Sequence, residues 1–136
     1  MRKPLWLLLG ALASTACGSP SADLFSVQRS GLGEGARLAL VVSDDGTVRC
    51  NDSAPVPLDA KRLLAARELS RQLARQAALG LELPAGRARD TTFRYRARLA
   101  EGHVAFADSS RGLPRSFADL AGFTRAVSRQ VCKLRR

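Results

Sequence analysis

The sequence predicts an α+β domain: an antiparallel sheet of four to five strands in ββ(β)–α–ββ–α order, with two helices packed on one face. Three observations support this. Several segments alternate apolar and polar residues with the period of a half-buried strand. Two longer segments repeat their apolar residues with helical spacing. The strand segments fall into hairpins separated by a helix, an order that gives an antiparallel sheet with helices segregated to one side.

The first strand covers residues 24–30, with Phe25 and Val27 on one face and Ser26 and Gln28 on the other. Residues 29–35 read as a loop, where Gly31, Gly33 and Gly35 permit positive φ. A second strand over 36–43 puts Leu38, Leu40 and Val42 on one face. Asp44-Asp45-Gly46 turns the chain into a short strand over 47–50, and residues 51–57, with two prolines, read as a loop.

A long helix is expected over 58–79, with Pro57 and Asp59 as start signals and Gly80 as the stop. Leu63, Ala66, Leu69, Leu73, Ala74 and Ala77 fall within an arc of about 140° on it, so one stripe docks against the sheet. Residues 81–90 read as a linker with Pro84 and Gly86.

The strand over 91–100 has the cleanest alternation in the chain: Phe93, Tyr95, Ala97 and Leu99 face inward, Arg94, Arg96 and Arg98 outward. Glu101-Gly102 turns into a partner strand over 103–107, with Val104 and Phe106 inward. Ser116 reads as the cap of a final helix, with Asp119 three residues on in a capping box. Its apolar stripe is Phe117, Leu120, Thr124, Val127, Val131 and Leu134.

The N-terminus carries an address. Arg2 and Lys3 precede a 12-residue apolar run over 5–16, the pattern of an export signal. As a helix that run spans only about 18 Å, short of a hydrocarbon core of about 30 Å, so it does not anchor by spanning. The expected organisation is a signal over 1–16, a tether over 17–23 and one domain over 24–136. Ser14-Thr15-Ala16-Cys17-Gly18-Ser19 resembles the lipobox of bacterial lipoproteins, which makes Cys17 the lipid-modified first residue of the mature chain. The alternative is an ordinary cleavage site with Ser14-Thr15-Ala16 as its small-x-small end and Cys17 incidental.

Three cysteines leave one unpaired in an oxidising compartment. With Cys17 given to lipid, Cys50 and Cys132 form the remaining pair, which would tie the first sheet segment to the last helix. The alternative is two separate buried thiols. The expected location is the outer or cell membrane, with the domain lipid-anchored and facing the periplasm or exterior.

Charge narrows the partners. Twenty-two basic residues less Arg2 and Lys3 leave 20 against 12 acidic ones, a mature net charge of +8. Anionic headgroups, wall polymers or an acidic protein surface suit such a chain. Nucleic acid is not expected, because no nucleic-acid-binding motif accompanies the charge. The row Arg94, Arg96, Arg98 is the candidate face for an anionic partner, set against the bland reading of a solvated sheet face.

Catalytic parts are scarce, and no enzyme activity, cofactor or metal is expected. The single histidine, His103, sits beside a hairpin turn and reads as a solvated imidazole. Asp44-Asp45-Gly46 lacks the spaced ligands of a calcium loop. Gly31-Leu32-Gly33 is followed by a strand and lacks the Lys-Ser/Thr of a phosphate loop.

Three segments in order resemble emfourin-type proteins, small bacterial inhibitors of thermolysin-like metalloproteases. Phe25-Ser26-Val27-Gln28-Arg29-Ser30-Gly31 is similar to the family's first strand and turn. Leu81-Glu82-Leu83-Pro84 followed by Phe93-Arg94-Tyr95-Arg96 is similar to its linker and next strand. Gly112-Leu113-Pro114 leading to Leu120 is similar to its closing helix. The resemblance covers most of residues 24–134 and implies a non-catalytic, protein-binding domain that inhibits a metalloprotease. No inhibitory residue carries over. The expected function is therefore an exported, lipid-anchored binding module at the cell envelope. The alternative is a structural, wall-associated lipoprotein that binds anionic polymer through its arginine face.

Overall fold

The computed structural model describes residues 22–33, 35–87 and 92–134. Cys17, the signal over 1–16 and all but the last residues of the tether lie outside them. The element order is β1 (Asp23–Gly31), β2 (Leu38–Ser43), β3 (Thr47–Cys50), β4 (Val56–Pro57), α1 (Ala60–Ala78), β5 (Phe93–Leu99), β6 (Gly102–Ala107) and α2 (Arg115–Gln130). This is the expected α+β class with two helices, but the sheet has six strands, in the order β4-β3-β2-β1-β5-β6.

The extra strand is β4, which pairs with β3 through Thr47 and Val48 in the stretch expected to be a loop. Two residues flanked by Pro55 are too short to show a period, and such a strand blunts the sheet edge. The opposite edge is covered as well. Residues 81–83, expected to be linker, bridge β6 in parallel: Leu83 N–H donates to the Ala105 carbonyl (2.8 Å) and Ala105 N–H to that of Leu81 (3.0 Å).

The two helices bury their stripes against one side of the sheet. From α1 come Ala66, Leu69, Leu73 and Ala77, while the predicted stripe members Leu63 and Ala74 stay half-buried. From α2 come Phe117, Leu120, Ala121, Thr124 and Val127. They meet Phe25, Val27, Leu40, Val42, Val48, Tyr95, Ala97, Val104 and Phe106 from the strands. Tyr95, Phe106 and Phe117 stack in series, with centroids 5.1 and 4.9 Å apart. Each fully buried large apolar side chain contributes about 1.5–3 kcal/mol of transfer free energy.

Asp59 caps α1, its carboxylate accepting from the Arg62 N–H at 2.8 Å. The expected cap of α2 is corrected. Pro114, with φ of −58°, is the N-cap, and no side chain caps the helix. Its carbonyl accepts from the N–H groups of Phe117 and Ala118, so Ser116 lies inside the first turn and is buried. Asp119 faces Arg115 at 3.8 Å instead. Val131 and Leu134, expected in the helical stripe, follow the helix and pack against the core from its trailing end. There Cys132 is bonded to Cys50 at the end of β3, Cα to Cα 6.1 Å, which pins α2 to the sheet.

Candidate functional site

Because both described helices lie on one side, no helix among the described residues covers the other side of the central strands. Strand register arranges that face in three rows, about 6.7 Å apart along the strands, with neighbours about 4.8 Å apart across them.

The first row runs Arg37, Ser30, Arg94, Ala107. Ser30 pairs with Arg94, and Arg94 with Ala107. Arg29 pairs with Leu38, which sets Arg37 on the other side of Ser30. The second row runs Asn51, Ala39, Gln28, Arg96, Ala105, Glu82. The third runs Arg49, Val41, Ser26, Arg98, His103. All five arginines are exposed. Arg94, Arg96 and Arg98 thus occupy one face, as their alternation predicts. The structure adds Arg37 and Arg49, which sequence reasoning missed. Both sit on the polar phase of their segments, but only the strand order brings them beside β5.

Two local features position the first two rows. Arg29 is directed into the protein by the alternation of β1, 8 % exposed and 4.8 Å over the Phe93 ring. Burial lowers its pKa, outweighing the opposing influence of nearby Tyr95. Its guanidinium donates to the Gly35 and Ala36 carbonyls at 2.8 and 3.3 Å, fixing the backbone just before Arg37. Asn51 adopts a φ of 53°, a region asparagine tolerates. It exchanges bonds with Ala39: its N–H donates to the Ala39 carbonyl, and its Oδ1 accepts from the Ala39 N–H at 3.0 Å.

Glu82 is the acidic member of the face. Its Oε1 lies 3.0 Å from Arg96 Nη2 and 2.9 Å from His103 Nε2. The hydrogen bond with His103, then the Arg96 charge, hold its carboxyl below the usual range. His103 is therefore partnered rather than simply solvated, although its side chain remains 38 % exposed.

Over rows one and two lies an open depression of about 720 Å³, with Arg37, Arg94 and Arg96 around small residues such as Ala39 and Ala105. Long donors around small residues are an arrangement that can accept an anion. They hold no nucleophile-and-base pair, and His103 faces a carboxylate on the far side of Arg96. Among the described residues no group of three or more His, Cys, Asp or Glu side chains could hold a metal ion. No described helix is long and apolar enough to cross a membrane. No family model, curated protein or solved structure matches the chain.

Proposed function

We propose that this protein is an exported, lipid-anchored, non-catalytic binding module of the cell envelope. Its working surface is the uncovered arginine face of the sheet, and its partner is anionic.

One observation carries this reading. Six arginines make ion pairs among the described residues, and five of them, Arg62, Arg67, Arg71, Arg115 and Arg125, belong to the helices. On the open face only Arg96 is so paired, which leaves Arg37, Arg49, Arg94 and Arg98 with no ion pair there. Lys61, Arg75 and Arg129 of the helices also make none among the described residues, so what sets the open face apart is that strand register gathers four unpaired arginines on one side of the sheet. Exposed like charges about 10 Å apart, the spacing of Arg37 and Arg94, repel by roughly 0.4 kcal/mol in water before screening, a cost that an anionic partner reverses.

The test is retention of a Cys17→Ala form on isolated envelopes. Arg94→Glu, Arg96→Glu and Arg98→Glu together should release it, and unchanged retention would overturn the reading. The partner can be an acidic protein surface, and the emfourin resemblance proposes a thermolysin-like metalloprotease. Inhibition of such enzymes by the mature chain would establish that version, and its absence across a varied panel would remove it.

A further inference from the structure

We propose that the Arg37–Ser30–Arg94 corner of the open face is a phosphoryl-binding site, and that the ligand of the face is a phosphoester. This rests on the reading of that face as the working surface and narrows it to one place and one chemistry.

Spacing selects the corner. Arg37 and Arg94 flank Ser30 from the two neighbouring strands, so their Cα atoms stand two strand spacings apart, about 10 Å. Two extended guanidinium groups can close on one group across that gap. Arg49 and Arg98, the other unpaired couple, are separated by both Val41 and Ser26, three spacings or about 14 Å. They can contribute field but not a two-sided clamp.

The donor set selects the anion. Arg37, Arg94, Ser30 and Asn51 all line the depression, beside Gln28 and the Glu82-paired Arg96. The Asn51 Oδ1 is spent on Ala39 N–H, so what remains to offer is its NH₂. A carboxylate is planar and matches one guanidinium edge to edge. A phosphoryl group has three or more oxygens in a tetrahedral array, so it can take arginines from two sides and a neutral donor from below.

Glu82 closes the far side. It engages Arg96 at 3.0 Å and places negative charge beyond it, which disfavours an anion there and leaves the Arg37 side open. The volume of about 720 Å³ exceeds a bare ion's needs and leaves room for the ester substituent.

The experiment uses the mature chain with Cys17→Ala and two charge-matched double variants, Arg37→Gln/Arg94→Gln and Arg49→Gln/Arg98→Gln. All four residues are exposed, and an unchanged melting curve checks each fold. The probes are glycerol phosphate by calorimetry, with arginine Nε–H shifts by NMR, and vesicles of phosphatidylglycerol in phosphatidylcholine. The soluble and vesicle arms separate a free phosphoester from a headgroup.

The expected result is shift changes at Arg37 and Arg94. The first pair should lose at least about tenfold in affinity, the scale of a charge-assisted hydrogen bond, and the second no more than about threefold. Equal losses from both pairs would overturn the site while leaving the open-face reading intact. Polyglutamate binding as tightly as the phosphoester, with the same sensitivity, would overturn the phosphoryl assignment. Failure of every anion to bind would sink both.

Discussion

Replacing Cys50 and Cys132 together with alanine removes the covalent link between the end of β3 and the trailing end of α2. The bonded residues are 82 positions apart, and α1, β5, β6 and α2 all lie between them. Loop-closure entropy of −2.1 − 1.5R ln n comes to about −15 cal/mol/K for that separation, or about 4.5 kcal/mol at 25 °C. A domain of this size has only about 5–15 kcal/mol in total, so the loss approaches its whole stability at the low end. In guanidinium chloride, with a slope of about 3 kcal/mol/M, the midpoint should fall by about 1.5 M. The assay is far-UV circular dichroism of the mature chain oxidised, the same chain reduced with dithiothreitol, and the double variant. Reduction leaves every side chain in place, so agreement between the reduced chain and the variant isolates the cross-link from lost packing of buried Cys50. A destabilisation below about 1 kcal/mol in both would refute the reasoning, because the bond would then constrain little in the unfolded chain.

Two further outcomes follow from the titrating groups. Tyr95 is the sole tyrosine, and burial, then the charge of Asp108, raises its pKa. Absorbance at 295 nm should show it ionising above the ordinary value of about 10 in the folded protein and returning there in denaturant. Its contribution is fully present below about pH 10 and is lost as pH rises through the folded value, so Tyr95→Phe should flatten the alkaline fall in stability. Glu82→Gln should free Arg96 and tighten glycerol phosphate binding by about two- to fivefold, the scale of one exposed ion pair, with the gain shrinking in high salt. Weaker binding by Glu82→Gln would mean that Glu82 orients the arginines rather than competing with the ligand.

The period-two and helical patterns are local properties, and the elements they mark are the ones read correctly from sequence. Phe93 to Leu99 alternates so regularly that the outward direction of Arg94, Arg96 and Arg98 follows from parity alone. β4 and the bridge at residues 81–83 have no such pattern. They exist because a neighbouring edge offers backbone partners, which a two- or three-residue segment cannot announce. At the start of α2 Ser116 has the side chain of a cap, but Pro114, two residues earlier, already has the φ and the free carbonyl that start a helix. Arg29 falls in the stretch whose glycines predict a loop, yet it continues the Phe25, Val27 phase of β1. A charged residue on a core phase is the informative exception, and here it fixes the loop before Arg37.

Strand order is where the candidate site escapes the sequence. β1 is central, between β2 and β5, and contributes only Ser26, Gln28 and Ser30 to the open face. The two serines of the middle column, Ser26 and Ser30, leave space above them, and the arginines of the flanking strands border that space. Arg37 and Arg94 are 57 positions apart in sequence and become near neighbours only because both flank Ser30. The register that puts them there is set by the opposite face. A one-residue slip of β5 would turn Tyr95 and Ala97 to solvent and drive Arg94, Arg96 and Arg98 into the aromatic core, burying unpaired charge at a cost of several kcal/mol each. The hydrophobic alternation that builds the core therefore also fixes the geometry of the anion site. Changes on the helix side that keep this register should leave the arginine face intact.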